Sequence, residues 1–214
     1  MRRILVVDDH AMVRKGLISI LSLQQYCGQP LQCDEAGTAQ EALEQLGCHS
    51  YALVLLDISM PGQGGLELLP VIRAQWPDTR VLMLSMFPEE QFALRALKLG
   101  AFGYLTKKEA ADELVLAVEQ ICAGKRYLSL QLSDLLINQA LEGSDTGHPS
   151  HTSLSNREFQ ILRKLAEGKS LKAIALELDL SIKTVSTYKS RLFIKMGFAS
   201  DADLIAYANS NNLL

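Results

Sequence analysis

Apolar and polar positions follow two rhythms in the first half of the chain. Short unbroken apolar runs occur at Ile4–Val7, Ala52–Leu56 and Val81–Leu84. Between them lie longer stretches in which apolar residues return every three or four positions. The first rhythm predicts strands and the second amphipathic helices. Strands are expected near 3–8, 31–36, 52–57, 80–85 and 102–106, and helices near 11–24, 38–47, 66–75, 89–99 and 110–123. Runs without a polar member, 52–56 and 81–84, suit strands covered on both faces. Turn signals separate the elements at Gly28-Gln29-Pro30, Pro61-Gly62-Gln63-Gly64-Gly65, Trp76-Pro77-Asp78 and Gly100. Thr38 with Glu41 has the spacing of a capping box, and Gly100 stands where a helix-ending glycine belongs. Regular βα alternation predicts an α/β fold with a doubly wound, five-stranded parallel sheet.

The rhythm changes after residue 123. One more helix is expected near 131–142, inside a linker that spans 124–153. Residues 143–153 hold no aliphatic side chain and are rich in Gly, Ser, Thr and Pro, as in a flexible connector. Residues 154–214 return to helical spacing throughout and predict an all-α domain of four helices, near 155–167, 171–178, 182–196 and 201–209. Gly168 and Gly197 mark stops, Ser155 with Glu158 forms a second capping-box pattern, and Ser170 and Ser181 are placed to cap.

Composition narrows the class. At 214 residues, 48% hydrophobic and 21% charged, the chain has the make-up of one or two globular domains. No apolar run approaches the roughly 18 residues a membrane span needs. The start, Met1-Arg2-Arg3, runs straight into a strand ending in two aspartates and does not resemble a signal peptide, so a cytoplasmic protein with no membrane partner is expected. Cys27, Cys33, Cys48 and Cys122 form no CxxC pair and read as reduced thiols without a metal, most of them packing residues. The net charge of −3 is unevenly spread. Residues 1–123 hold 10 basic and 15 acidic side chains, a balance of −5, whereas 154–214 hold 9 and 6, a balance of +3. Different partners for the two halves follow.

The candidate chemistry sits where predicted strands end. The first strand ends at Asp8-Asp9, the third at Asp57, the fourth at Ser85, and the fifth, through Thr106, at Lys107. In an open parallel sheet, ligands bind outside the carboxyl ends of the strands. A lone Asp or Lys after a strand is ordinary; the same edge holding three carboxylates, a hydroxyl and an ammonium is not. Three aspartates repel one another, and a divalent cation relieves that repulsion. Mg²⁺ accepts one or two carboxylates together with phosphate oxygens, so Asp9 and Asp57 are candidate direct ligands and Asp8 one acting through water. Asp57 is also a candidate nucleophile, because carboxylates form aspartyl phosphates. Lys107 would offset charge on the phosphoryl oxygens, and Ser85 would donate a hydrogen bond to one.

With the Asp8-Asp9 pair, Asp57 within Leu56-Asp57-Ile58-Ser59-Met60-Pro61-Gly62, Ser85, and Gly100 to Lys107, residues 1–123 resemble a response-regulator receiver domain of flavodoxin-like fold. The resemblance implies that Asp57 takes phosphate from a sensor histidine kinase or phosphotransfer protein. It implies Mg²⁺ held by Asp8, Asp9, Asp57 and the Ser59 carbonyl. It makes Ser85 and Tyr104 a switch pair that shifts inward on phosphorylation. Phe87, two residues after Ser85, is expected to hinder the water that would hydrolyse the acyl phosphate.

In the second half, the segment 182–196 carries an apolar stripe through Val185, Leu192 and Met196, with Thr187, Ser190 and Arg191 opposite. A helix of this kind fits the DNA major groove. Leu154 to Glu158, Ala166 to Ser170, Ile174-Ala175 and Leu180 to Tyr188 resemble a LuxR-type helix-turn-helix domain, so the whole chain is similar to NarL/FixJ-family transcriptional regulators. The resemblance makes 171–178 the positioning helix and 182–196 the recognition helix. Ser186, Thr187 and Ser190 would lie nearest base edges, and Lys183, Tyr188, Lys189 and Arg191 nearest the backbone, with Thr184 and Lys195 completing the DNA-binding set. It makes 201–209 a dimer surface, promoter DNA the target, and RNA polymerase a further partner. Leu171, where relatives often carry asparagine, and Lys189, where many carry an aliphatic residue, depart from the pattern. The implied function is a phosphorylation-switched transcriptional regulator, not an enzyme apart from receiver self-phosphorylation and slow autodephosphorylation.

Three alternatives compete. A DNA-binding regulator controlled without phosphate is opposed by the intact acidic set. A small Mg²⁺-dependent phosphatase is opposed by the absence of a spare general acid near Asp57. A protein-interaction role for the C-terminal helices would be told apart by salt-sensitive DNA binding.

Overall fold

The computed structural model describes residues 3–26, 29–141, 151, 154–211 and 213. The expected flexible connector falls almost wholly outside the described residues, as do Cys27 and Gly28. The chain divides into two compact units, Met1–Glu142 and Gly143–Leu214.

In the first unit, five strands alternate with helices. The strands are β1 (Arg3–Val7), β4 (Gln32–Ala36), β5 (Leu53–Asp57), β6 (Arg80–Ser85) and β7 (Gly103–Thr106). They form one parallel sheet in the order β4-β1-β5-β6-β7. The helices are α1 (Ala11–Ser22), α2 (Ala39–Cys48), α3 (Gly65–Gln75), α4 (Glu89–Lys98) and α5 (Ala110–Cys122). A short antiparallel pair, β2 (Gln25–Tyr26) with β3 (Gln29–Pro30), lies after α1, where only turn signals were expected.

Alternation along the strands separates two buried faces. Ile4, Val6, Leu53, Leu55, Leu82, Leu84 and Leu105 pack against Leu17 and Leu21 of α1 and Leu114, Val118 and Ile121 of α5. The intervening residues, Leu5, Val7, Val54, Leu56, Val81, Met83 and Tyr104, are equally buried on the other face, which α2, α3 and α4 cover. Burying each large side chain contributes about 1.5–3 kcal/mol, which is why a polar interruption of these runs is absent until their last residues.

Two local expectations are refined. Thr38 caps α2 by accepting from the Glu41 N–H at 3.1 Å, but the Glu41 carboxylate accepts from the Gly37 N–H at 2.7 Å, so no closed capping box forms. Gly100 ends α4 with φ of 101°, and the Ala101 N–H closes back on the Ala96 carbonyl.

Residues 124–141, expected within the linker, pack on the first unit. Tyr127 is buried, pairs with Gly103 as a short parallel bridge, and donates its N–H to the Phe102 carbonyl at 2.9 Å. Beyond it, α6 (Leu130–Leu141) buries Leu132 and packs on α4. The physical reason is that Tyr127 and Leu132 carry apolar surface that a solvated linker could not hide. Gly103 permits the bridge, because a Cβ there would meet the Tyr127 carbonyl at 2.8 Å.

The second unit holds α7 (Asn156–Ala166), α8 (Leu171–Glu177), α9 (Ile182–Met196) and α10 (Asp201–Ser210). Phe159, Ile161, Leu162, Ile174, Val185, Leu192, Met196 and Leu204 form its core. Ser155 closes a full capping box with Glu158, and Ser170 and Ser181 cap α8 and α9. The α8–α9 turn passes through Asp179 at φ of 52°, a conformation Asp tolerates better than most side chains. Among the described residues no helix is long and apolar enough to cross a membrane.

The entry to α3 is the tightest point of the first unit. The Gly65 N–H donates to the Ile58 carbonyl at 3.0 Å, and a Cβ at Gly65 would lie 2.0 Å from the Asp57 carbonyl oxygen. Gly65→Ala therefore must move α3 away from the end of β5. We expect a loss of about 1–3 kcal/mol, read as a lower urea midpoint; an unchanged midpoint would contradict the close approach.

Candidate functional site

The sheet order places β1, β5, β6 and β7 so that their carboxyl ends meet at one edge. Asp8 follows β1, Asp57 ends β5, Ser85 ends β6 and Lys107 follows β7. The Lys107 ammonium lies 2.6 Å from Asp8 Oδ2 and 3.0 Å from Asp57 Oδ2. All three side chains are almost fully buried. Asp9, next to them, is partly exposed. Ser59 lies just beyond β5, and its backbone N–H donates to the Asp57 carboxylate.

Burial raises the pKa of Asp57, and the Asp8 charge adds to this; Lys107 and the Ser59 N–H pull it back only in part. For Lys107, burial favours the neutral amine, but the hydrogen bond to Asp8 and the Asp57 charge outweigh it, and its pKa rises. The ammonium is therefore held charged between its two carboxylates.

Two residues absent from the sequence expectation complete the cluster. His10 Nδ1 sits 2.7 Å from Asp9 Oδ1, and the His10 N–H donates to Asp8 Oδ1 at 2.9 Å. Arg14 donates to the Asp8 carbonyl at 2.6 Å while also reaching Glu35 at 3.1 Å. The only sequence cue to His10 was its place directly after the aspartate pair.

Ligand atoms of Asp8, Asp9, His10 and Asp57 all lie within 4.8 Å of one another. Asp8 Oδ2, Asp9 Oδ1 and Asp57 Oδ2 are sealed from solvent. The Lys107 ammonium offsets the charge of Asp8 and Asp57, and the His10 ring stands beside Asp9. Oxygen donors at this spacing fit a hard divalent cation such as Mg²⁺.

The segment after β6 is tied down by backbone contacts. Ser85 Oγ accepts from the Phe87 N–H at 2.9 Å. Tyr104 is fully buried and donates its hydroxyl to the Phe87 carbonyl at 2.9 Å. Tyr104 thus already lies inward. The Phe87 ring packs on Phe92 of α4, with centroids 5.2 Å apart.

In the second unit, α9 presents the expected polar face. Lys183, Ser186, Thr187, Ser190 and Arg191 are exposed, Thr184, Tyr188 and Lys189 half-buried. Thr187 and Ser190 donate to the carbonyls of Lys183 and Ser186, one turn back, and so stay satisfied without a ligand. Two lysines of the expected set are engaged elsewhere. Lys189 lies 2.6 Å from Asp201 with its ammonium over the Phe193 ring, and Lys195 lies 2.7 Å from the buried Glu158. Burial alone would raise the Glu158 pKa, but Lys195 and Ser155 outweigh it and lower the value.

Comparison with known proteins bears on both units. A family model described as response regulator receiver domain matches residues 4–119, and one described as bacterial regulatory proteins, luxR family, matches residues 152–208. The oxygen regulatory protein NreC of Staphylococcus epidermidis is 35% identical over 221 residues, covering 99% of each chain. NreC of Staphylococcus aureus is 33% identical with the same coverage. Among solved structures, the RcsB response regulator of Salmonella typhimurium superposes with a TM-score of 0.65 at 26% identity, over 99% of each chain. A structure of RcsB from Salmonella enterica serovar Typhimurium bound to promoter rprA with the phosphomimetic BeF3- gives 0.62 at 26% identity, over 98% of this chain and all of that one.

The ion-pair geometry yields a direct test. Removing one partner of a buried pair leaves uncompensated charge and costs about 3–5 kcal/mol. Lys107→Met should destabilise the protein by that order in the absence of divalent cations, and millimolar Mg²⁺ should restore much of the loss. Thermal melts with and without Mg²⁺ measure both; a Lys107→Met protein as stable as wild type would contradict the arrangement.

Proposed function

Because the chain belongs to the response-regulator family, with a receiver unit followed by a LuxR-type DNA-binding unit, we propose that phosphorylation of Asp57 switches its binding to promoter DNA. The observation that supports this most is the buried cluster of Asp8, Asp57 and Lys107 at the edge where the strands end.

In this reading, an Asp57 carboxylate oxygen attacks the phosphorus of a phosphohistidine on a sensor kinase or phosphotransfer protein. The P–N bond breaks, the electron pair stays on the imidazole, and Asp57 holds an acyl phosphate. Asp8, Asp9, Asp57 and the Ser59 carbonyl would hold Mg²⁺, which when bound supplies positive charge to the phosphoryl oxygens. Lys107 stabilises the same oxygens from the β7 side. The Ser85 hydroxyl turns its proton towards the phosphoryl group, and Tyr104 stays inward beside it as the second member of the switch. Slow autodephosphorylation, with no other enzymatic activity, resets the protein.

The output follows from α9. Ser186, Thr187 and Ser190 approach base edges, while Lys183, Thr184, Tyr188 and Arg191 contact the backbone. Lys189 reaches phosphate by exchanging an exposed partner, Asp201, at little cost. Lys195 faces a buried partner and is held more firmly. Each good base contact contributes about 1–3 kcal/mol of discrimination, so small hydroxyl side chains call for two half-sites, with a homodimer through α10. The proposed division is a receiver over 1–123, a connecting segment over 124–153 and a DNA-binding domain over 154–214, in a cytoplasmic protein that contacts RNA polymerase at promoters.

Selection from a promoter-length DNA library, with and without acetyl phosphate and Mg²⁺, tests this for wild type and Asp57→Ala. Acetyl phosphate should enhance wild-type binding and leave Asp57→Ala unchanged; equal binding in all four conditions would remove the phosphorylation switch. A second expectation concerns phosphate lifetime. Phe87→Glu should release phosphate from Asp57 faster than wild type, because a carboxylate in place of the ring admits and orients water. Single-turnover phosphate release measures it, and an unchanged rate would exclude a shielding role for Phe87.

A further inference from the structure

At the start of α4, a buried carboxylate meets the residue that opens α6. Glu89, the first residue of α4, is buried, and its carboxylate accepts a hydrogen bond from the Ser129 hydroxyl. Ser129 directly precedes α6, the last element before the chain continues into the DNA-binding unit. The same Ser129 oxygen accepts from the Leu132 N–H at 3.0 Å, and the Ser129 carbonyl accepts from the Ser133 N–H at 3.0 Å. One hydroxyl therefore both caps α6 and fastens it to α4.

Two residues before Glu89, Phe87 is held at both of its backbone groups. Its N–H goes to Ser85 Oγ and its carbonyl receives the Tyr104 hydroxyl. Ser85 stands at the end of β6, beside the strand that carries Asp57. A short covalent path thus joins Ser85, at the edge that carries Asp57, to Glu89, whose carboxylate holds Ser129. Leu132, the buried residue of the first turn of α6, adds packing to this bond.

We propose that the Ser129–Glu89 hydrogen bond is a latch that couples the phosphorylation state of Asp57 to the start of α6. The proposal rests on Asp57 phosphorylation as read above. Ser85 Oγ reorients to the phosphoryl group and gives up the Phe87 N–H. The segment 85–89 then relaxes, Glu89 moves relative to Ser129, and the first turn of α6 loosens. The tether to the DNA-binding unit changes with it. The buried carboxylate makes the bond sensitive, since a displaced Glu89 either keeps its donor or pulls towards water.

Three substitutions separate the latch from simple loss of structure. Ser129→Asp retains an N-cap acceptor for Leu132 but cannot donate to Glu89. Glu89→Met removes the acceptor at similar size. Glu89→Gln keeps an acceptor and serves as the conservative control. With full-length protein, hydrogen exchange at the Leu132 and Ser133 amides is measured before and after acetyl phosphate with Mg²⁺, alongside DNA affinity; intact mass reports phosphate uptake. In wild type, phosphorylation should speed exchange at these amides by roughly three- to tenfold, the worth of one hydrogen bond. In Glu89→Met, exchange at both amides should already be fast; in Ser129→Asp, the retained cap should keep Leu132 protected; in both, phosphorylation should no longer change exchange there, and the phosphate-dependent gain in DNA affinity should shrink. Glu89→Gln should follow wild type. Phosphate uptake with unchanged exchange in wild type, or an undiminished response in the two severed variants, would overturn the latch. Absence of phosphate on Asp57 would instead overturn the reading on which it stands, and the latch with it.

Discussion

A single ammonium between two buried carboxylates sets the terms for the first unit. Asp8 and Asp57 lie at the ends of neighbouring strands with almost no access to water. Two such anions cannot stand side by side in a protein interior without a cation, and Lys107 supplies it from β7. The arrangement is poised. Burial keeps the pKa of Asp57 raised even beside the ammonium. Any charge added at this carboxylate must be answered by a residue on another strand. A parallel sheet with its strand ends at one edge is what makes that answer immediate.

The segment that leaves β6 runs from Ser85, at the same edge, into α4. Phe87 is held by Ser85 and Tyr104, and Glu89 by Ser129. These are directional bonds at the margin of a close-packed core.

The second unit is built to be acted upon. Its core closes on itself through Phe159, Leu162, Val185, Leu192 and Leu204, with every helix start capped by serine. The polar face of α9 takes no part in that core. Its hydroxyls are satisfied on their own helix, and its exposed cations, Lys183 and Arg191, lie in a region of positive balance joined to an acidic receiver. Charge thus separates a half that carries the acidic cluster from a half of positive balance.

Much of this was legible in the chain. Unbroken apolar runs ending in Asp, Ser or Lys identified both the buried parallel strands and the edge that carries chemistry, because strand burial and strand-end function are written in consecutive residues. The helices of the second unit were equally plain, since capping serines and stop glycines are local signals. What the chain alone left undecided was the choice of partners. Glu41 turned to Gly37, Lys195 to Glu158, Lys189 to Asp201, and His10 joined the aspartates. The stretch 124–132, read as linker, became part of the first unit through Tyr127 and Leu132. Secondary structure and the acidic edge were determined by residues close together in sequence. The pairings, including that of Glu89 with Ser129, were decided only by tertiary structure, because a side chain's partner depends on which distant elements packing brings within reach.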